Sequence, residues 1–411
     1  MDDKQKIDSL LKWLDNSPTP VHVVRTAIQQ LVSCDFKEQK DFSSELHSKA
    51  FHRRDGSLIA WSLGQPGAPF RIVGAHTDSP NLRIQPQPDI SRMGWSQLGI
   101  EIYGGVLLNS WLDRDLGIAG RVFSSDGEEV LFHQSQPLAR VPQLAIHLDR
   151  EISERGLLLD KFQHTSPVWG TNAPMFLDWI SQVTGVQKVA SFDAHLFDVT
   201  PASVLGVDSS LLASARLDNQ LSCWAAIQAL CHIDTEYTTI VILNDHEEVG
   251  SESATGAAGP MLENLLAVVD DIDQLNRGQR VDRAKQSWCL SADNAHAVHP
   301  NYTEKHDPRH SPLPNNGVAL KLNGNQRYAT SPSGAAHIRN IASKQNIALQ
   351  TFVSRNNMPC GSTIGPITST RLGIDAIDIG VPQLSMHSAR ELCGTSDATD
   401  LVALMQGFMK N

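Results

Sequence analysis

A chain of 411 residues, 41% hydrophobic and 19% charged, has room for two or three domains and is too apolar for a disordered protein. Its formal net charge of −11 disfavours nucleic acid or an anionic membrane as partner, because phosphate recognition needs a basic face. No apolar run approaches the roughly 18 residues that span a bilayer, and the charged start Met1-Asp2-Asp3-Lys4-Gln5 lacks a signal-peptide core.

Residues 6–33 carry helical periodicity, interrupted at Ser17-Pro18-Thr19-Pro20. Segments 57–63 and 70–75 read as strands joined by a Gly/Pro turn. From 87 to 212 short apolar stretches broken by Gly, Pro and Ser predict a β-rich module with few helices. Helix and strand then alternate: helix 221–230, a buried strand 238–243, a helix near 260–268, and strands near 287–291 and 317–322. A helix near 333–344, strands near 349–353 and 375–379, and a last helix 396–409 follow. This alternation predicts an open, largely parallel sheet with helices on both faces. The simplest architecture is one α/β domain, 1–86 and 213–411, split by a β-rich insertion at 87–212. The six cysteines, at 34, 223, 231, 289, 360 and 393, form no CxxC pair. They read as buried, inert, reduced thiols of a cytoplasmic protein.

Ligands of α/β sheets bind beyond the carboxyl ends of the strands, so polar residues there carry the functional signal. His76 and Asp78 follow the strand 70–75. They suit a metal ligand with an orienting carboxylate, although an isolated His-x-Asp fits a loop hydrogen bond as well. Asp218 closes an extended segment and could be a plain helix cap. Glu247 and Glu248 follow the most apolar strand. Adjacent carboxylates repel one another, and one can hold a metal while the other serves as general base. Asp293, His296 and His299 follow 287–291, and His387 follows 375–379.

The set says more than any member. Two histidines and four acids (His76, Asp218, Glu247, Glu248, Asp293 and His387) are expected along one sheet edge. Imidazole and carboxylate together suit Zn²⁺ without a thiolate. Five ligands and one free acid fit two metals bridged by one carboxylate, a clamp for water and a carbonyl oxygen. The histidine-rich stretch 299–310 reads as a proline-containing surface loop rather than a separate metal site, and no GxSxG, P-loop or GxGxxG is present.

Several of these segments, taken with others, resemble the M18 family of metallo-aminopeptidases, specifically its aspartyl aminopeptidases. The similarity is carried by Leu11-Lys12-Trp13-Leu14-Asp15-Asn16-Ser17-Pro18-Thr19-Pro20, Gly74-Ala75-His76-Thr77-Asp78-Ser79-Pro80 and Ser110-Trp111-Leu112-Asp113-Arg114-Asp115-Leu116. Further matches are Ala145-Ile146-His147-Leu148, Arg216-Leu217-Asp218-Asn219 and Glu247-Glu248-Val249-Gly250-Ser251-Glu252-Ser253. It continues through Asp293-Asn294-Ala295-His296-Ala297-Val298-His299-Pro300-Asn301-Tyr302, Asn325-Gln326-Arg327-Tyr328-Ala329, Pro359-Cys360-Gly361-Ser362-Thr363-Ile364-Gly365-Pro366 and Met386-His387-Ser388.

The resemblance implies a zinc-exopeptidase-like mixed α/β sheet flanked by helices, with an inserted β-rich dimerisation domain. It implies two Zn²⁺ per subunit, one on His76, Asp218 and Asp293 and one on Asp218, Glu248 and His387. Glu247 would be the base acting on a water activated by both metals, and Asp78 would orient His76. His296, His299, Lys321 and Tyr328 would line the substrate pocket, and His147 would reach a neighbouring subunit's site. Peptides with a free N-terminus, preferably Asp or Glu, are the implied substrates, with a preference for neutral residues as the alternative. Lys321 offers an ammonium for an acidic side chain, although by itself it reads as an exposed lysine on an edge strand. The implied assembly is a homododecamer built of dimers. Carboxylate-rich sites also accept Mn²⁺ or Co²⁺, so exchange at one position is expected.

Overall fold

The computed structural model describes residues 2–43 and 45–411. Its architecture follows from alternation inside the buried strands. In Thr238–Asn244, Ile240 and Ile242 enter one hydrophobic cluster and Val241 and Leu243 another. Phe70–His76 does the same, with Phe70 and Ile72 on one face and Val73 and Ala75 on the other. Successive side chains of a strand point to opposite faces, so a sheet of such strands is covered on both.

Helices Asp3–Asn16, Pro20–Ser33, Leu217–Cys231, Pro332–Lys344 and Thr395–Lys410 cover the first face. Met261–Ile272 covers the other. Leu217–Cys231 is buried at every position from Leu217 to Leu230, as expected of a helix packed on all sides.

The main sheet runs Lys37–Glu38, Lys49–Arg54, Ser57–Ser62, Thr238–Asn244, Phe70–His76, Trp288–Ala292, Asp375–Gly380, Val318–Leu322, Leu349–Val353. Its centre is parallel. Antiparallel pairs flank that centre, between Ser57–Ser62 and its two neighbours and between Val318–Leu322 and Asp375–Gly380. The sheet is therefore mixed, with parallel pairs in the majority, five against three. The strand Lys49–Arg54 and the helices Arg277–Gln286 and Ile364–Leu372 were not expected from periodicity. Arg277–Gln286 buries only Arg283 and is marked in sequence by its Asn276/Gln279 capping box instead.

A second, six-stranded sheet takes its strands from Asn81–Arg92 to Val189–Asp198 and is wholly antiparallel. It encloses its own hydrophobic cluster, with Phe176 and Ile180 of the helix Phe176–Thr184 packed inside. A third sheet runs Ser203–Leu205, Leu211–Ser214, Glu391–Gly394, Pro382–Leu384, Ala295–His296. No helix among the described residues is long and apolar enough to cross a membrane. All six cysteines are free, but Cys34, Cys231 and Cys360 are only half-buried. Cys34 and Cys231 stand at helix ends, where burial is incomplete.

Candidate active site

Sheet register sets the site. Asn244 pairs with His76, and Ser291 pairs with Gly74. The residues following these strands therefore emerge level at one carboxyl edge: His76, then Glu247 and Glu248 on the 3₁₀ turn Glu247–Val249, and Asp293 after Trp288–Ala292. Gly380 lets Asp293 come close, because a Cβ there would overlap the Asp293 carbonyl.

Asp218 and His387 arrive by another route. Both belong to segments framed by the five-stranded sheet, rather than to strand ends of the main one. Asp218 follows Leu211–Ser214, and His387 follows Pro382–Leu384. The expected placement of His387 after 375–379 on the main sheet edge is thus corrected, because the chain crosses to a second sheet in between. Asp218 is not a helix cap either. Arg216 holds the N-cap position, Asp218 is non-helical at φ −82°, ψ 106°, and the Asp218–Asn219 peptide is cis. Asn219 Nδ2 donates to the Ala292 carbonyl (2.8 Å), tying this turn to the main sheet.

The six residues converge. His76 Nε2 lies 3.4 Å from Asp218 Oδ1 and 3.7 Å from Asp293 Oδ1. His387 Nε2 lies 3.4 Å from Asp218 Oδ2 and 3.3 Å from Glu248 Oε2. Each oxygen of Asp218 thus faces a different imidazole. Two donors each bound to one tetrahedral zinc stand about 3.4 Å apart, given Zn–N and Zn–O bonds of about 2.0–2.1 Å. The residues present fit zinc on this measure. Asp218 Oδ1 and Glu248 Oε1 are buried without a well-formed hydrogen bond, as donors to a cation would be.

Electrostatics say the same. Asp78, Asp218, Glu247, Glu248, Asp293 and Glu391 lie close enough to feel one another's charge, and the Lys321 ammonium stands at the margin of the group, its Nζ 3.6 Å from Asp293 Oδ2. Burial would lower the pKa of His387, but Asp218 and Glu248 outweigh it and push it up to about 10. His76 is likewise held well above its ordinary value: burial opposes, and Asp218, Asp293 and Asp78 prevail. The carboxylates therefore demand positive charge where the two Nε2 atoms meet them. Burial first, then the charges of Asp293, Asp218 and Asp78, raise Glu247 to about 7 against the pull of His76.

Asp78 is fully buried. Its main-chain carbonyl lies 3.0 Å and its Oδ1 3.4 Å from His76 Nδ1, which leaves Nε2 for the site. Its carboxylate accepts the amides of Glu247 (3.0 Å) and Glu248 (3.1 Å) and the hydroxyl of Tyr103 (2.7 Å). Burial alone would raise its pKa; the bonds from His76 and Tyr103 reverse that and hold it below the usual range.

Around the cluster, Lys321 is buried, 2% exposed, with its ammonium 5.2 Å from the Tyr328 ring centroid. It is not the exposed edge lysine its sequence context allowed, because Leu349–Val353 lies outside its strand. His296 packs on Phe352 and feels the charges of Lys321, Asp218 and Asp293. His299 is half-buried, its ring 4.9 Å from Tyr302. His147 is exposed on the 3₁₀ turn Ile146–Leu148. Sequence reasoning passed over Tyr103, Gly105 and Glu391. The Gly105 carbonyl meets His387 Nδ1 at 3.0 Å. Glu391 accepts the main-chain amides of Asp218 (2.9 Å) and His387 (2.7 Å). An acid opening the apolar strand Glu391-Leu392-Cys393-Gly394 was the one available signal.

Residues 13–409 match the family described as aminopeptidase I zinc metalloprotease (M18). The chain belongs to the M18 family. A curated relative from Streptomyces coelicolor, named probable M18 family aminopeptidase 2, is 45% identical over 98% of this chain and 98% of its own. Among solved structures, the Ape4 chain of an Ape4–Nbr1 complex superposes with TM-score 0.93 at 33% identity, covering 99% of this chain and 86% of that one. The S. cerevisiae mApe1 dodecamer gives TM-score 0.85 at 27% identity, covering 98% and 95%. This M18 chain is thus a zinc metallo-aminopeptidase, a hydrolase that releases N-terminal residues from peptides.

Proposed function

We propose that this M18 aminopeptidase works with two zinc ions per subunit and prefers peptides with N-terminal Asp or Glu. The observation that carries the two-metal reading is the division of Asp218, with Oδ1 facing His76 and Oδ2 facing His387 at 3.4 Å each. His76, Asp218 and Asp293 hold one ion; Asp218, Glu248 and His387 hold the other. Mn²⁺ or Co²⁺ can replace zinc at one of them. When bound, the pair supplies Lewis acidity to the scissile carbonyl and the attacking water.

The chain's own residues do the rest. Glu247 takes the proton of the attacking water and returns it to the leaving amine. Asp78 keeps Nε2 of His76 turned into the site and holds the Glu247–Glu248 turn by its two amides. Lys321 receives the substrate's side-chain carboxylate, with Tyr328, His296 and His299 around it. The rival reading, a preference for neutral residues such as Leu, draws on Lys321 being already paired with Asp293.

The segment 87–212 is read as a dimerisation insertion. Met93, Trp95, Leu144 and Leu148 support this, lining one apolar hollow with each more than two-fifths exposed. His147, within this region, reaches a neighbouring subunit's site, and the dimers assemble as a dodecamer like that of mApe1. Six free cysteines support a cytoplasmic location. Metal analysis together with hydrolysis of Asp-, Glu- and Leu-p-nitroanilides tests the proposal. Two divalent metal ions per chain, at least one of them zinc, with Asp or Glu ahead of Leu supports it, a single metal ion of any kind per chain overturns the two-metal reading, and Leu ahead overturns the acidic preference.

A further inference from the structure

Two metal-facing residues reach the site from segments far apart in the chain, and one buried side chain touches both. Glu391 is 2% exposed. Its Oε2 accepts from the Asp218 amide at 2.9 Å and its Oε1 from the His387 amide at 2.7 Å. Its own strand is already in register with the Asp218 segment, Ser214 opposite Glu391. His387 needs holding, since its φ of +67° lies in the left-handed region that a non-glycine residue enters at a cost. A third contact, His387 Nδ1 to the Gly105 carbonyl at 3.0 Å, fixes the ring.

We infer that Glu391 is a positioning residue that sets the spacing of Asp218 and His387, and so governs the metal position they share with Glu248. The inference rests on the two-metal reading. Both positions use Asp218, but only the one with Glu248 also uses His387, so losing the clamp disturbs two of its three ligands against one of the other's and weakens it the more. Glutamine preserves the shape, but it has a single acceptor oxygen. Its NH₂ group would face one of the two amides donor to donor. Aspartate keeps the charge and both oxygens but is one methylene too short to reach both amides.

The test is zinc titration of metal-free wild type, Glu391→Gln, Glu391→Asp and His387→Ala against a chromophoric chelator, with melting of each metal-free form. The expected result is two tight equivalents for wild type. Each Glu391 variant keeps one and binds the second about 10–100-fold more weakly, the usual scale for a group that orients a ligand. The Co²⁺ absorption spectrum of the Gln variant should match that of His387→Ala, and excess zinc should restore its activity. Wild-type affinity at both positions in either variant overturns the inference. Equal weakening of both positions with a lower metal-free Tm overturns it too, since that is plain structural damage. A wild type that binds one equivalent overturns the two-metal reading instead.

Discussion

Tyr103, at the end of a strand of the six-stranded sheet, donates its hydroxyl to Asp78 of the main sheet's edge at 2.7 Å. Asp78 in turn orients His76 and anchors the Glu247 and Glu248 amides. Two residues later, the Gly105 carbonyl meets His387. The segment that carries the second sheet therefore braces both imidazoles of the site.

Replacing Tyr103 by Phe removes one donor from a buried carboxylate. A hydrogen bond to a charged group contributes about 1.5–3 kcal/mol. The expected outcome is a fall in kcat/KM of about 10–100-fold with weaker zinc binding. Steady-state kinetics and metal competition on the purified variant check this; unchanged values would remove the second sheet from the chemistry.

Glu247→Gln keeps the size of the side chain and removes its proton acceptor. Activity should fall by about 10²–10⁴-fold, the scale of a general base, while zinc content stays at the wild-type level. Metal analysis beside kcat separates this outcome from loss of metal.

Lys321→Met should abolish the proposed advantage of Asp- and Glu-p-nitroanilide over Leu-p-nitroanilide. It also removes the partner of Asp293 at 3.6 Å, so rates on all substrates should drop. The ratio between acidic and neutral substrates is the diagnostic quantity, and an unchanged ratio places specificity elsewhere.

His22 makes stability depend on pH. It is fully buried, with Nδ1 2.7 Å from Thr19 Oγ1. Burial first, then Arg25, His133, His195 and Arg216, lower its pKa from 6.5 to about 3. The unfolded chain takes up a proton that the folded chain refuses. Stability from this group is therefore whole above pH 6.5 and declines as the pH falls toward 3. In metal-free protein, the Tm loss between pH 7 and pH about 4.5 should be smaller in His22→Asn than in wild type. Equal losses would assign the acid sensitivity to other groups.

Much of the site could be read before folding was considered. His76, Glu247, Glu248 and Asp293 each stand just beyond a strong apolar strand, and the rule that ligands gather at carboxyl strand ends finds them. Asp218 and His387 were found as residues but assigned to the wrong frame, because a short strand of a small sheet has no periodicity to distinguish it from loop. Tyr103 and Glu391 had no local pattern to expose their roles. The partner of Tyr103 is 25 positions away, and Glu391, four residues from His387, meets Asp218 across 173 positions, a neighbour that only folding supplies.

Sequence alone determined the alternating α/β elements, the acids and imidazoles available for metal, and the family. These are properties of local pattern and residue type, and apolar periodicity and strand-end chemistry express them directly. Tertiary structure alone decided that Asp218 turns one oxygen to each histidine, that Lys321 is buried against Asp293, and that Glu391 ties two distant amides. Those facts depend on how three sheets meet. Close packing sets that meeting at the scale of one hydrogen bond, and no stretch of chain carries it by itself.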